Sequence, residues 1–344
     1  MPLRPAFSLQ QPPGAIEGPR ALAVVLLVMY HVIGAAPDGG LHLSGMHPGR
    51  LSMDFLADLR MPLFAFISGH VYALKPVDPA RLWMFLRGKL RRLAVPGIVA
   101  ISVFMVFSSL MNTRFAPDHA WWLNYVTPYA HYWFVQAILL IFFLFGSFDI
   151  LSRGRYLPVI FVASLLLYLV GWWIPTAFMS INQAVYLLPY FLFGVLIARH
   201  PGTVVKHRAP IILLAAAVLL AATWVNLDIL QETGRFSHDR RDLQSLGFGM
   251  AATTLCYLLL PEIRTRALGA FSFTIYLYHV LATSGMRRAL LDLGIHDVAL
   301  HVLLGTVAGI ALPILLHVAA QQHPLSRRLI LGEVSRPLRH KITF

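Results

Sequence analysis

Long apolar runs alternate with short polar segments along the whole chain. Ten of these runs are long enough to cross a bilayer as α-helices. They lie at residues 19–36, 52–74, 93–112, 132–148, 156–173, 179–198, 209–226, 244–260, 268–286 and 298–320. The pattern therefore predicts an all-α fold, a polytopic membrane helix bundle of about ten transmembrane helices. The segment between 132–148 and 156–173 is short enough to allow a re-entrant pair there instead.

The composition agrees with a membrane protein. Hydrophobic residues make up 58% of the 344 residues and charged residues 12%, whereas about a quarter of a soluble domain is charged. The single cysteine, Cys256, excludes an intrachain disulfide and a cysteine-based metal site. The loop histidines also lack the spacing of metal ligands, so no metal is expected.

The distribution of charge predicts the topology. The net charge is +13, but the cations fall in loops, which argues against a nucleic-acid partner. Alternating loops place 20 of the 28 Lys and Arg residues on one side. The other eight are Arg50, Arg60, Arg114, Arg235, Arg240, Arg241, Arg287 and Arg288. The positive-inside rule then puts both termini in the cytoplasm, with residues 1–18 as a cytoplasmic lead, 19–320 as the transmembrane domain and 321–344 as a basic cytoplasmic tail.

Two residues that membrane helices normally exclude stand at the ends of one uncharged stretch, RALAVVLLVMYH. Eleven helical steps of about 100° bring Arg20 and His31 to the same face, roughly 16 Å apart along the axis. Ionisable groups at membrane depth usually mark a substrate or proton path. The pair is therefore a candidate functional site, although Arg20 can also be read as a topology anchor at the membrane surface.

A basic segment lies between the second and third runs. Within it, six positions hold Arg87, Lys89, Arg91 and Arg92, on a segment whose pattern predicts an amphipathic interfacial helix. Such cations can simply fix the topology and contact anionic lipid headgroups. Guanidinium groups also suit bidentate binding of phosphate, so together with Arg20 they are candidates for binding a phosphorylated ligand.

Six stretches follow one another in an order that indicates a family. They are RALAVVLLVMYH (20–31), MPLFAFISG (61–69), LRGKLRRLAVP (86–96), YWFVQAILLIFF (132–143), YFLFGVLIA (190–198) and FSFTIYLYH (271–279). In this order they resemble the acyltransferase 3 family of membrane O-acyltransferases. Related members often carry His directly before the MPLF segment, where this chain has Arg60.

The resemblance implies an O-acyltransferase that moves an acyl group, acetyl by default, from cytoplasmic acyl-CoA to a sugar hydroxyl at the outer face. The nucleotide phosphates would lie against Arg20 and the basic segment, with the thioester near His31. A neutral imidazole can take the proton of the attacking hydroxyl, so His31 is the candidate general base. His279 would orient His31 or polarise the thioester carbonyl, and Arg60 would donate to the oxyanion or bind an acidic sugar. A packing hydrogen bond is the alternative for His279.

Other interpretations stay open at this point. A covalent acyl-enzyme on Ser68 or on an imidazole would also transfer the group. A secondary transporter or flippase of a small anionic or glycan substrate would likewise carry charges within its helices. The expected location is the bacterial cytoplasmic (inner) membrane, with membrane lipid and a carbohydrate acceptor as partners, and with polysaccharide-assembly partners or a homo-oligomer left open.

Overall fold

The computed structural model describes residues 16–34, 39–171, 173–236, 241–261 and 267–334. Its α-helices are α1 (Glu17–Ile33), α2 (Pro48–Phe55), α3 (Ala57–Ala73), α4 (Leu82–Lys89), α5 (Val95–Leu110), α6 (Trp133–Ile141), α7 (Ser147–Leu151), α8 (Leu157–Leu169), α9 (Ile181–Arg199), α10 (Pro201–Lys206), α11 (Arg208–Thr233), α12 (Leu243–Leu259), α13 (Ala267–Asp292), α14 (Val298–Ala320) and α15 (Pro324–Ile330). No β-strand occurs in the described ranges. The prediction of an all-α fold is therefore confirmed.

Five helical stretches within the described ranges are long and apolar enough to cross a membrane. They are Pro79–Leu110, Trp133–Leu151, Phe178–Arg199, Arg208–Thr233 and Val298–Ala320. Two further apolar helices, α8 and α12, are shorter. Each of the ten predicted runs falls on a helix, but the count of ten crossings and the side of each terminus remain predictions.

The helices depart from the predicted runs in two places. The run 52–74 is divided at Leu56, whose φ of −89° and ψ of 10° end α2 and precede α3. The run at 93–112 begins much earlier, because the helix continues without interruption from Pro79 through the basic segment. A π-helical turn, Leu90–Ala94, joins α4 to α5 within this stretch, and such turns accommodate one extra residue per turn without ending the helix.

The centre of the bundle is the contact between α3 and α9, the most extensive between any two described helices. Glycines allow the two backbones to touch. A β-carbon on Gly69 would lie 1.9 Å from the carbonyl oxygen of Phe191, and one on Gly194 would lie 2.1 Å from that of Phe66. Small residues at a membrane helix interface permit this approach. Gly69 and Gly194 are therefore packing residues of this interface.

Helix α1 packs along α13 and α14 and also contacts α3. The close approach to α14 again depends on glycine, because a β-carbon on Gly309 would lie 2.5 Å from the Val28 side chain. Gly305 faces Val32 in the same way, one turn away. This packing brings the last turn of α1 beside the middle of α13, which positions the site described next.

Candidate active site

Three histidines from distant parts of the chain meet at the end of α1. His31 lies in the last turn of α1, His279 in the middle of α13 and His131 just before α6. The ring centroids of His31 and His279 are 4.7 Å apart, and that of His131 lies 5.7 Å and 5.0 Å from them respectively. His279 is completely buried and His131 is 7% exposed. The structure therefore brings together both predicted histidines and adds a third.

The hydrogen bonds of this cluster select one tautomer for each of the two predicted histidines. His279 Nδ1 lies 3.0 Å and 2.9 Å from the carbonyl oxygens of Ile275 and Tyr276, which can only accept, so Nδ1 carries the proton. The Nε2 of a neutral His279 is then an acceptor, and it lies 3.1 Å from Nδ1 of His31. That atom is also 2.9 Å from the Leu27 carbonyl oxygen. His31 therefore carries its proton on Nδ1, which leaves the lone pair of its Nε2 available as a base.

A cavity of about 550 Å³ opens beside His31. It lies at the end of the bundle where α1 and α5 finish and α3 and α6 begin. Its wall includes His31 and His131, together with aromatic side chains such as Tyr30, Trp133 and Tyr276. A volume of this size suits a small ligand or part of a larger one, and aromatic faces suit the apolar faces of sugar rings.

Arg60 forms part of the same cavity wall. It is 3% exposed, and its guanidinium carbon lies 3.6 Å from the centre of the Tyr30 ring. Stacking of this kind fixes the plane of a guanidinium group. All three residues predicted to take part in catalysis, His31, His279 and Arg60, are thus at one site.

Arg20 lies at the opposite end of α1. Its guanidinium group pairs with Glu17 and packs against Gly269. A β-carbon on Gly269 would displace this guanidinium group. Helical geometry puts it roughly 16 Å from His31 along the axis. Arg20 is not part of the cavity wall, so the two predicted residues share a helix face but not a site.

The basic segment is also at that opposite end, where the Pro79–Leu110 helix begins. Arg87 and Arg92 are exposed there. Lys89 and Arg91 are engaged in the fold, because the Lys89 amine lies 3.3 Å from the centre of the Phe142 ring and Arg91 Nε donates to the Gly332 carbonyl oxygen over 3.2 Å. None of these four described cations lines the cavity.

Sequence reasoning did not identify His131. Tyr132 Oη donates to the carbonyl oxygens of Ala100 and Leu277, and Tyr276 Oη donates to the His131 carbonyl oxygen, so both neighbours hold this turn in place. Neither ring nitrogen of His131 makes a hydrogen bond of normal geometry within the described part of the chain. The signal in the sequence that could have identified His131 is its position directly before the YWFV segment.

The structure also shows the position of Ser68, the candidate for a covalent intermediate. The Ser68 hydroxyl donates to the Phe64 carbonyl oxygen over 2.8 Å and lies off the cavity wall. Within the described ranges, no group of three His, Cys, Asp or Glu side chains is arranged to hold a metal ion. The groups that the site presents at the cavity are an oriented imidazole and a guanidinium group.

The fold and the site define a helical membrane protein with a hydrogen-bonded histidine pair beside a cavity at one end of its bundle. A family model described as an acyltransferase domain matches residues 14–318. The chain belongs to this family, the acyltransferase 3 family, and is an integral membrane acyltransferase. No curated protein and no solved structure matches the chain.

Proposed function

We propose that the protein transfers an acyl group, by default acetyl, from cytoplasmic acyl-CoA to a hydroxyl of a cell-surface or exported carbohydrate. The observation that carries this proposal is the hydrogen-bonded pair of His31 and His279 beside the 550 Å³ cavity. The proposed location is the bacterial cytoplasmic membrane, with the cavity at its outer face. That orientation follows from the loop charges.

The proposed reaction is direct transfer. Nε2 of His31 takes the proton of the sugar hydroxyl while the hydroxyl oxygen attacks the thioester carbonyl carbon. The carbon–sulfur bond of the tetrahedral intermediate then breaks, and the imidazolium returns its proton to the thiolate of CoA. His279 acts as a positioning residue, because its Nε2 accepts the Nδ1 proton of His31 and so maintains the basic tautomer. A covalent intermediate on Ser68 is less suitable, because its hydroxyl lies off the cavity wall.

Arg60 is the proposed donor to the oxyanion. A guanidinium group on the wall of a partly enclosed site stabilises a developing negative charge more strongly than it would in water. The ring of Tyr30 holds this group in one plane. A fixed donor of this kind needs little rearrangement when the tetrahedral intermediate forms.

The donor is proposed to enter from the opposite end of the bundle. Arg20, Arg87, Lys89, Arg91 and Arg92 would hold the phosphates of CoA, with Arg87 and Arg92 the most accessible of the five. A pantetheine arm is about as long as the roughly 16 Å axial separation of Arg20 and His31. The thioester could therefore reach His31 while the nucleotide stays at the cytoplasmic surface.

The test is release of CoA from acetyl-CoA by the purified protein in lipid, with a surface glycan fraction as acceptor. We expect His31→Ala to lower acceptor-dependent release by about 100-fold or more, with little change in the KM for acetyl-CoA. His279→Ala should lower kcat by a smaller factor, and His279→Gln, which can still accept the Nδ1 proton, should recover part of it.

The matched control is His301→Ala. This imidazole is also buried, and it bonds the Ile295 carbonyl oxygen away from the cavity. Its loss should leave turnover within about twofold of wild type while testing the general cost of removing a buried histidine. Equal turnover by wild type and the His31 variant would contradict the proposal, as would movement of the glycan across the bilayer without any release of CoA.

A further inference from the structure

Three arginines from separate parts of the chain meet at the cavity. Arg60 comes from the start of α3, Arg114 from the segment that follows α5, and Arg287 from the second half of α13. No aspartate or glutamate lines the cavity among the described residues. The wall beside the base is therefore rich in fixed positive charge.

This charge is in an unusual place for a membrane protein. The side of the bundle that holds the cavity carries few cations. The charge pattern leaves only eight of the 28 Lys and Arg residues for this side, and that number includes Arg60, which lies within the second predicted run. Three of those eight line this one cavity. Arginines that serve only to anchor helices would be expected around the whole perimeter and on the cytoplasmic side. Their concentration at the site indicates a ligand.

Arg287 is held in place in the cavity wall by a hydrogen bond to the backbone. Its Nη1 donates over 2.6 Å to the carbonyl oxygen of Gly40. The backbone turns sharply at Gly40, which has a φ of +61°. A β-carbon at this position would lie 2.4 Å from the Ile33 carbonyl oxygen, so only glycine fits there. A guanidinium group has five N–H donors. One backbone bond therefore orients the Arg287 group and leaves most of its donors for a ligand.

Arg114 lines the same cavity from the segment that follows α5. It is exposed, and its guanidinium carbon lies 5.0 Å from the centre of the Phe115 ring. Arg287 is half-buried, whereas Arg60 is buried in the cavity wall. The inner guanidinium group thus suits the reaction itself, and the two outer groups suit a part of the substrate that does not react.

We propose that the acceptor is an anionic carbohydrate, whose carboxylate or phosphate ester is bound by Arg287 and Arg114 while a neighbouring hydroxyl faces His31. This inference rests on the proposed function and adds the class of acceptor to it. Planar, paired N–H donors are well matched to both kinds of anion. Both arginines act here as specificity-determining residues for the acceptor.

The experiment compares three acceptors of one length in the CoA-release assay. The probes are a tetrasaccharide of glucuronic acid residues, the same tetrasaccharide with its carboxylates reduced to hydroxymethyl groups, and the reduced form carrying a 6-phosphate. We expect kcat/KM to be at least about tenfold higher for one or both charged probes than for the neutral one. The charged probe that is preferred identifies the anion.

Substitution then locates the preference. Arg287→Gln and Arg114→Gln should each raise the KM for the preferred charged probe by about tenfold and so reduce its advantage over the neutral probe. Arg288→Gln is the matched control, since this neighbouring exposed arginine pairs with Asp292 at 3.0 Å and lies off the cavity wall. A rise in the KM for acetyl-CoA instead would assign the arginines to the phosphates of the donor and overturn the inference.

Failure of the inference and failure of the proposed function have different signatures. Equal use of charged and neutral probes, with release still dependent on His31, overturns the anionic acceptor and keeps the acyltransferase proposal. Release that does not depend on His31 with any of the probes overturns both. Binding of the charged probe to the His31→Ala protein, weakened by Arg287→Gln and by added salt, supports the acceptor site without any need for turnover.

Discussion

At the scale of single residues, His131 is the most informative side chain. Burying an imidazole whose nitrogens lack hydrogen bonds costs free energy, on the order of 1–3 kcal/mol for such a group. Neither nitrogen of His131 has a hydrogen-bond partner of normal geometry within the described structure. Polar groups kept under these conditions commonly serve function rather than folding. We therefore expect the nitrogens of His131 to interact with the reacting groups.

His131→Phe tests this expectation, because a phenyl ring keeps the packing against His31 and His279 and removes both nitrogens. The apparent Tm should stay the same or rise, while kcat should fall by about tenfold. Thermal unfolding and CoA release, measured on the same preparation in lipid, check both values. A variant with unchanged kcat would show that His131 only fills space.

At the residue scale, the predicted residues that the structure brings together are those for which the sequence carried a pattern. His31 and His279 are 248 positions apart, and only the family resemblance connected them before the structure showed their 3.1 Å contact. His131 stood at the edge of an apolar run with no charged partner, which is the usual pattern of an interfacial residue. Proximity of this kind depends on how helices pack, and no local pattern encodes it.

At the scale of helices, the α3–α9 contact makes the clearest prediction. Gly194→Val would place a branched side chain where even a β-carbon lies 2.1 Å from the Phe66 carbonyl oxygen. The helices must separate, so we expect a loss of stability of about 3 kcal/mol or more, seen as a large drop in the apparent Tm in lipid. Gly202→Val is the control, since nothing lies within 4 Å of a β-carbon at that position. Similar stability of the two variants would contradict the backbone contact.

Hydrophobic pattern predicted the helices well and their ends less well. Every predicted run lies on a helix because apolar length alone favours helical structure in a membrane. No glycine or proline stands at Leu56 to signal the break between α2 and α3. Pro48 marks only the start of α2. The basic segment was predicted to be an amphipathic helix of its own, and its continuity with the third run was not predicted, since its charged residues interrupt the apolar pattern.

At the scale of the whole molecule, α1 connects two ends for which we propose different tasks. Arg20→Gln should raise the KM for acetyl-CoA by about tenfold and change kcat little, because the proposed donor phosphates bind far from the reacting atoms. Arg155→Gln, an exposed cation on the same predicted side, is the control. Steady-state kinetics at fixed acceptor concentration measure both. A fall in kcat without any change in KM would contradict a donor site at Arg20.

The cavity wall consists of two kinds of surface, one on a helix that is fixed by the contact between α3 and α9 and one on segments between helices. Arg60 stands on α3, whose backbone is locked against a second helix and cannot shift without disturbing the centre of the bundle. Another part of the wall, at residues 39–42 and 113–115, lies outside the long helices. If the proposed function holds, substitutions in these two segments can change the choice of acceptor while the chemistry beside Arg60 is preserved, which makes them the natural positions for redirecting the enzyme.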